Sequence, residues 1–276
     1  MFQPIWQSSS CLVVRKPAGL PTQAPPPHPS LESRLRAHFA ATATAPSSDY
    51  LALPHRLDRP VSGLILVART KRAARLLGQQ FESRKVSKRY LAWVEGHVEI
   101  DPTALTWHDR LRKLPGQPRG EIVDLDVDDP QPTTAAVPDS QRENGSQRDG
   151  RVSTAITEVR VVRQQGQRTL LELHPLTGRM HQLRIQSAYR GHPILGDRLY
   201  GATTQWRSAM EIEMELSGPA ASDSPITSIA LHAWQLGFHD PANGKWVEVT
   251  DTPDWPAGFE LADQPSGTRD SGRSPT

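Results

Sequence analysis

The sequence predicts a mixed α+β fold, and three local patterns support that prediction. Residues 64–68 form an apolar run of the length expected for a buried strand. Residues 90–95 place their side chains with the period of two that is typical of a strand. Residues 71–82 place apolar side chains at a spacing of four, which favours an amphipathic helix. Strands and helices interspersed in this way indicate the α+β class.

The amino-terminal part of the chain predicts a strand, a loop and a helix. Residues 12–14 are apolar and include two β-branched valines, whereas the proline-rich residues 17–29 cannot enter the interior of a sheet. Ser30 is a suitable N-cap for a helix that follows the loop. The apolar face of this helix consists of Leu31, Leu35 and Phe39.

The next elements have clear boundaries. Thr70 is expected to cap the helix over residues 71–82, whose outer face is basic. The strand over residues 90–95 is expected to end at Gly96. Its alternation directs Tyr90 and Trp93 to opposite faces, and an aromatic residue in such a strand is more often part of the core than of a site.

Residues 124–150 interrupt the pattern. They are rich in Asp, Pro, Ser, Gln and Asn and contain few apolar residues, so they predict a flexible insertion. Two strand-like runs follow at residues 152–162 and 169–173, joined by a turn at residues 164–167. A helix over residues 181–188 is expected to stop at Gly191.

The carboxyl-terminal part predicts a final hairpin from residues 229–238 and 246–249. A further short helix is possible over residues 206–216. We expect one domain over residues 1–262 and a disordered tail over residues 263–276, which is rich in Gly, Ser, Asp and Pro.

Composition limits the classes of function. The chain has 276 residues, of which 36% are hydrophobic, and no apolar stretch approaches the roughly 18 residues of a membrane span. Its single cysteine, Cys11, excludes an internal disulfide and a thiolate-rich metal site, and it is expected to be a small buried side chain. The histidines lack zinc-site spacing. We therefore expect a cytoplasmic protein without metal or cofactor.

Charge is segregated along the chain, although the net charge is only +2. Residues 56–89 contain ten Lys or Arg and two acids, whereas residues 121–149 contain eight acids and two Arg. A basic surface over residues 69–89 is expected to follow the phosphates of a nucleic acid, with a solvated outer helix face as the alternative. If these residues instead form a solvated helix face, the path of the nucleic acid would be sought along Arg179, Arg190 and Arg198.

The basic segment contains one acidic residue in a special position. Asp58 lies between Arg56 and Arg59, close to His55, just before the apolar run. Neighbouring cations favour an ionised carboxylate, which could act as a nucleophile or a base. The alternative is that Asp58 only caps a turn.

Four segments, in this order along the chain, resemble the motifs of the RluA-type pseudouridine synthases. These are KPAGLP at residues 16–21, HRLD with SGL at residues 55–64, KRYLA at residues 88–92, and TGRMHQLR with GHPILGD at residues 177–197. The similarity extends from about Leu12 to Trp255. It departs from the family pattern at Val61 and Met180, where Thr is usual, and at Gln186, where His is frequent.

The resemblance implies a single catalytic domain with a long, mostly antiparallel sheet, flanking helices and a central cleft. It implies an RNA isomerase that converts specific uridines in ribosomal or transfer RNA to pseudouridine, without a cofactor and as a monomer. The catalytic residues implied are Asp58, Tyr90 and Arg184. The substrate-binding residues implied are His55, Arg56, Arg59, Thr177, Gly178, Arg179, His181, Gln182 and Ile185.

The expected chemistry is cleavage of the bond from C1′ to the uracil nitrogen and re-attachment through carbon. As in glycoside cleavage, a carboxylate can stabilise or capture the cationic sugar. Asp58 would stabilise or capture the cationic sugar in this way, or it would remove a ribose proton. Arg184 is expected to hold Asp58 in a bidentate pair, and Tyr90 to stack on the base and assist the last proton removal.

Two other functions remain open from the sequence. One is an RNA-binding protein of the same fold that has lost activity, which would be expected to lack one of the three catalytic residues. The other is an unrelated hydrolase that uses Asp58 with a second acid, for which Asp197 is the best candidate.

Overall fold

In a computed structural model, eleven strands and three helices are present in the described part of the chain, residues 3–42, 50–99, 105–123, 151–208, 228–259 and 268–269. The helices are α1 (Leu31–Thr42), α2 (Lys71–Glu82) and α3 (Gln182–Tyr189). The strands are β1 (Trp6–Gln7), β2 (Cys11–Lys16), β3 (Ser62–Ala68), β4 (Ser87–Glu95), β5 (Leu105–Lys113), β6 (Gly120–Ile122), β7 (Val152–Gln164), β8 (Arg168–Pro175), β9 (Leu231–His239), β10 (Trp246–Thr250) and β11 (Thr268–Arg269).

The strands form one mixed sheet in the order β1-β2-β3-β9-β4-β8-β7-β5-β6, and β10 pairs with β9 and β11. Among the described strands, β3 and β9 form the parallel pair, and the other pairs are antiparallel. Gly63, the second residue of β3, lies at this parallel pair with a φ of 117°, and a Cβ there would lie 2.4 Å from the Ala233 carbonyl oxygen. Only glycine permits this approach.

Side chains of β3 alternate between two apolar cores. Leu64 and Leu66 pack with Ala73 and Leu77 of α2 on one face of the sheet. Ile65 and Val67 belong to the larger core on the other face. That core also contains the α1 residues Leu31 and Leu35. Because β3 is covered on both faces, its sequence is a continuous apolar run rather than an alternating one.

Local sequence signals predicted most of these elements. The N-cap at Thr70 is confirmed, since its hydroxyl accepts a hydrogen bond from the Ala73 N–H at 3.1 Å and α2 has the predicted bounds. Ser30 likewise accepts from the Ser33 N–H at 3.1 Å at the start of α1. The hairpins β7–β8 and β9–β10 match the predicted runs. Cys11 is fully buried, as expected.

Other expectations differ from the structure or lie outside it. No local sequence pattern predicted β5, in which charged residues separate the few apolar ones and which pairs with β7. The possible helix over residues 206–216 is described only at residues 206–208, which are not helical and whose Trp206 packs edge-on against Trp255 and Phe259; its other residues lie outside the described part of the chain. Thr268 and Arg269 of the predicted disordered tail pair with β10. The predicted insertion at residues 124–150 lies outside the described residues, as does the rest of the tail.

Lys16 joins the amino-terminal motif to the loop that carries Asp58. Its side chain is fully buried, and Nζ donates hydrogen bonds to the carbonyl oxygens of Pro17 (2.9 Å), Leu20 (2.6 Å) and Arg59 (3.2 Å). Burial lowers the pKa of Lys16 to about 7, although the charge of Asp58 opposes this shift. The three carbonyl groups match the three donors of one ammonium group.

Lys16→Met is therefore expected to lower the free energy of unfolding by about 2–4 kcal/mol, because it leaves buried carbonyl groups without a donor. Urea denaturation would measure this loss. Lys245→Met is the matched control, since Lys245 is exposed, and it should change stability by less than about 0.5 kcal/mol. Equal stability of the two variants would contradict a clamping role for Lys16.

Candidate active site

A cleft of about 1200 Å³ opens over the middle of the sheet. Residues of the loop before β3, of β4 and β9, and of the connection from β8 into α3 line it. Asp58, Tyr90 and Arg184, which lie far apart in the sequence, all face this cleft. The structure thus brings the three residues expected to be catalytic into one place.

The loop before β3 holds Asp58 in a defined position. The Asp58 carbonyl accepts a hydrogen bond from the Val61 N–H at 3.1 Å, and the Thr22 hydroxyl bonds both backbone groups of Leu57. The Asp58 side chain stays 28% exposed. Its Oδ2 lies 3.4 Å from Arg184 Nη1 and 3.6 Å from His181 Nε2. The backbone of the loop is therefore fixed by these hydrogen bonds, while the Asp58 carboxylate remains accessible to a substrate.

Arg184 forms its bidentate pair with Asp197 rather than with Asp58. Arg184 Nε donates to Asp197 Oδ2 at 2.6 Å, and Nη2 donates to Oδ1 at 2.8 Å. The expectation of a bidentate pair with Asp58 was wrong, because Nη1 alone remains for that contact. Burial would lower the pKa of Arg184, but the hydrogen bonds and charge of Asp197, followed by the charge of Asp58, raise it. The guanidinium is thus a fixed, permanent cation.

His181 lies between Asp58 and Tyr200. Its Nδ1 is 2.8 Å from the Tyr200 hydroxyl, which accepts a hydrogen bond from the Gly120 N–H at 3.1 Å. Burial lowers the pKa of His181, and the charge of Asp58 only partly opposes this, so the ring is neutral near pH 7. If Tyr200 donates to Nδ1, the remaining proton is on Nε2, which faces Asp58.

The backbone of His181 is in the left-handed region, with a φ of 53° at the start of α3. This conformation is uncommon for a residue other than glycine and costs on the order of 1 kcal/mol or more. It directs the imidazole into the cleft beside Asp58. Such strain is typical of functional sites.

Tyr90 lies on β4 and lines the cleft. Burial, followed by the negative charge of Asp58, raises the pKa of its hydroxyl group. Tyr90 therefore stays protonated, which does not favour a phenolate as the acceptor of the last proton. Trp93 is fully buried and packs edge-on against Phe259, so it belongs to the core.

Two of the predicted substrate-binding residues have their polar groups occupied by the protein. Thr177 Oγ1 donates to Gln182 Oε1 at 2.7 Å and accepts from the Ile156 N–H at 2.9 Å. Gln182 Nε2 donates to the Ile156 carbonyl and to Thr157 Oγ1. Both side chains are buried. Their contacts fix the loop that carries Gly178 and His181.

The other predicted substrate-binding residues divide into two groups. Arg56, Gly178 and Arg179 line the cleft, although Arg179 Nε also donates to the Thr154 carbonyl at 3.0 Å. Arg59 and Ile185 are not among the lining residues. Arg59 Nε donates to the Gly19 carbonyl, and Ile185 is buried with Leu111 and Ala155. For these two, packing against the protein replaces the expected substrate contact.

Comparison with known proteins agrees with this geometry. The family model described as "RNA pseudouridylate synthase" matches residues 10–189. The dual-specificity RNA pseudouridine synthase RluA of Salmonella typhimurium is 35% identical over 243 residues, which cover 87% of this chain and 88% of that protein. The chain belongs to the RNA pseudouridylate synthase family. It is an intramolecular isomerase that acts on RNA, as the motifs predicted.

Other relatives support the assignment. The RluA protein of Pasteurella multocida is 30% identical over 251 residues, which cover 88% of this chain and 89% of that protein. The structure of human RNA pseudouridylate synthase domain containing 4 has a TM-score of 0.65 at 23% identity and covers 93% of this chain and 89% of that one. This likeness confirms the predicted fold.

The three departures from the family pattern concern residues at the cleft or beneath it. Val61 and Met180 line the cleft as apolar side chains. Gln186 lies beneath it, where Nε2 donates to Asp109 Oδ2 and Oε1 accepts from Thr157 Oγ1, both at 2.6 Å. The amide therefore satisfies the buried polar groups around it.

Sequence reasoning missed the roles of Asp197 and Tyr200. Asp197 was considered only as a possible second acid, although its place at the end of the GHPILGD segment was a usable signal. Tyr200 gave no local signal, because its contacts to His181 and Gly120 depend on distant segments. Its ring also lies 5.0 Å from the Arg184 guanidinium carbon.

The basic surface expected over residues 69–89 of the synthase reaches the cleft only in its second half. Arg84, Lys85 and Lys88 are lining residues, whereas Lys71, Arg72 and Arg75 are not. The physical reason is the course of the chain. β3 begins near the cleft and leads away from it, and α2 returns towards it, so the start of α2 lies at the far end.

The described helices include none that is long and apolar enough to cross a membrane. Within the described ranges, no group of His, Cys, Asp and Glu has an arrangement that could hold a metal ion.

His55 lines the cleft, but its ring is engaged by the protein. Its Nε2 accepts a hydrogen bond from the Leu66 N–H at 2.8 Å, and its ring stacks on Phe81 with centroids 4.8 Å apart. Burial, followed by the charge of Lys88, lowers the pKa of His55 to about 3. His55 is therefore a neutral acceptor that anchors the Asp58 loop to β3.

The low pKa of His55 predicts a stability change in acid. Between pH 6.5 and about 3 the unfolded chain binds a proton at His55 that the folded chain does not, so stability falls as the pH falls. His55→Gln retains an acceptor but does not titrate. From pH 6.5 to 4.5 the difference in unfolding free energy should shift by roughly 2–3 kcal/mol in favour of the variant.

Urea denaturation of both proteins at each pH would measure this shift. His97→Gln, which changes an exposed histidine, is the control and should follow the wild type. A constant difference between His55→Gln and the wild type over this range would contradict a buried neutral His55.

Proposed function

We propose that this synthase converts uridine to pseudouridine in ribosomal or transfer RNA, with Asp58 as the group that acts on the ribose. The observation that carries the proposal is the partly exposed Asp58 carboxylate in an open cleft, in contact with Arg184 and His181. The RluA relatives are named dual-specificity enzymes, and another relative, from Vibrio parahaemolyticus, is named for the large ribosomal subunit.

The target uridine must leave its stack or loop to reach Asp58, at a cost of a few kcal/mol. Tyr90 then stacks on the uracil, and the basic wall of the cleft holds the backbone. As the bond from C1′ to the uracil nitrogen breaks, positive charge builds on the ribose. Asp58 stabilises this charge, by attack on C1′ or by removal of a ribose proton.

The groups around Asp58 have distinct tasks. Arg184, fixed by Asp197, directs one donor at Asp58 Oδ2. Neutral His181 adds a second nitrogen near the same oxygen. The uracil rotates and its C5 bonds to C1′, after which the proton on C5 must leave. By then Asp58 has left C1′ or has returned the ribose proton, so it can accept the proton from C5, and N1 of the uracil takes up a proton in its place. Because Tyr90 is held protonated, Asp58 is the better acceptor.

The two alternative functions have less support. An inactive RNA-binding protein need not retain Asp58, Tyr90 and Arg184 together in one cleft. A hydrolase that pairs Asp58 with Asp197 would need a free second carboxylate, whereas Arg184 occupies both oxygens of Asp197. We further propose that the protein is a monomer and that it acts in the cytoplasm.

The direct test is to incubate the purified protein with unmodified ribosomal and transfer RNA transcripts and to map pseudouridines. RNA from cells with and without the protein would be mapped in the same way. We expect one or a few defined uridines to be converted in both experiments. Absence of any conversion by the wild-type protein would overturn the proposal.

A further inference from the structure

Lys88 is a cation in the cleft wall that has no anionic partner among the described residues. It lies on β4, lines the cleft and is partly buried. Burial, followed by the positive charge of Arg84, lowers its pKa. Both effects disfavour the charged form of an isolated Lys88 side chain. An anion bound beside the ammonium group would therefore stabilise its charged form.

The position of Lys88 relates it to the substrate base. Lys88 and Tyr90 are two residues apart on one strand, so their side chains share a face and their Cα atoms are about 6.6 Å apart. On the opposite side, a Cβ at Gly178 would lie 3.8 Å from Lys88 Nζ. Because Gly178 has no side chain, the ammonium group remains accessible from the cleft.

Arg84 adds a second cation at a structurally costly position. It follows the C-cap of α2 with a φ of 57°, and the Lys85 N–H closes the helix end by donating to the Gln80 carbonyl at 2.8 Å. Glycine is preferred at this left-handed position, where another residue costs on the order of 1 kcal/mol. Arg84 is nevertheless present, and its exposed side chain lines the cleft.

Other cations at or near the site are less suitable for a mobile anion. Arg184 is bound to Asp197, Arg59 donates to the Gly19 carbonyl and Arg179 donates to the Thr154 carbonyl. Near Arg84 and Lys88 the lining also contains the exposed acid Glu82 and the cation Lys85. Three cations against one acid leave this wall with a net positive charge.

We infer that Lys88 and Arg84 form a subsite for a backbone phosphate of the RNA, next to the nucleotide whose base is at Tyr90. A compact ammonium and a forked guanidinium are both good phosphate donors, and a phosphate between them relieves their mutual repulsion. The nucleotides beside the extruded uridine must enter the cleft with it, which brings their phosphates to this wall. The inference rests on the proposed function and assigns a place to one part of its substrate.

The test uses a hairpin RNA whose loop is all uridine. Its affinity for the wild type, Lys88→Gln and Arg84→Gln is measured over a range of salt concentrations. Each lost contact should flatten the slope of log affinity against log salt by about 0.7 and weaken binding roughly tenfold. Turnover of the hairpin at saturating RNA should stay within about twofold, so that KM rises and kcat does not.

Two further proteins separate a phosphate contact from a structural role. Lys88→Arg keeps the charge and should restore the wild-type slope, which a merely structural role would not require. The triple variant Lys71→Gln, Arg72→Gln, Arg75→Gln removes three exposed cations that do not line the cleft and should leave the slope unchanged. A flattened slope in the triple variant only would overturn the inference.

A second arm identifies the phosphate itself. Loop linkages of the hairpin are replaced one at a time by uncharged methylphosphonate. One position should weaken binding to the wild type roughly tenfold but have no further effect on Lys88→Gln. Additive losses at every position would show that Lys88 contacts no phosphate. If the wild type converts no uridine in the ribosomal and transfer RNA transcripts, the proposed function fails, while these binding measurements still decide the subsite.

Discussion

Asp58→Asn is expected to reduce isomerisation by more than about 10³-fold, the loss that is usual when a group acting at the reacting atoms is removed. Asparagine has nearly the same volume, and the Asp58 side chain is partly exposed, so the free energy of unfolding should change by less than about 1 kcal/mol. RNA affinity should be retained, because no cation is lost. Single-turnover conversion of RNA and urea denaturation would measure both effects.

Glu82→Gln provides a matched control for Asp58→Asn. Glu82 is another carboxylate that lines the cleft, but it is exposed and is not in contact with Arg184 or His181. The turnover of the Glu82→Gln variant should stay close to that of the wild type. If Asp58→Asn kept more than a small percentage of wild-type turnover, the role of Asp58 would be refuted and a hydrolase-like use of the cleft would have to be reconsidered.

Asp197→Asn should lower both stability and turnover. Asp197 is 1% exposed and provides both acceptors for the buried Arg184. Neutralising it leaves a buried guanidinium with only a single longer contact to Asp58, which should cost about 2–4 kcal/mol. Released from Asp197, Arg184 can reorient around Asp58, so kcat should fall at least about tenfold. Denaturation and single-turnover kinetics would measure the two losses.

Two variants separate the electrostatic role of the Arg184–Asp197 pair from a general loss of stability. The double variant Arg184→Met, Asp197→Leu removes both buried charges and should regain much of the stability without regaining activity. Glu172→Gln disrupts a different buried acid, paired with Arg89 and Arg160, and should destabilise the protein while keeping kcat. Full activity of the double variant would contradict a role for Arg184 in catalysis.

The sequence alone predicted the elements whose signals are local. α2 has the expected start because the Thr70 hydroxyl caps it, and its apolar spacing places Ala73 and Leu77 in the core. β3 was recognisable because a strand covered on both faces is a continuous apolar run. The motifs also identified Asp58, Tyr90 and Arg184, since their residue types and order carry the family resemblance.

Other features could not be predicted because they depend on contacts between distant segments. β5 contains several charged residues and becomes a strand by pairing with β7. Even the partners that lie nearest in the sequence, Arg112 and Val152, are 40 positions apart. Residues expected to bind substrate, such as Thr177 and Gln182, use their polar groups to bond each other and the backbone of β7.

The sequence by itself thus predicted the family, the α+β class, the aspartate that we propose to be catalytic and the capped helix α2. Only the tertiary structure decided which carboxylate holds Arg184, why His181 faces Asp58, and which half of the basic surface over residues 69–89 lines the cleft. The physical reason is that propensity, capping and periodicity act over a few residues, whereas a hydrogen bond such as that from Arg184 to Asp58 joins residues 126 positions apart. Its formation depends on how the sheet and helices pack together.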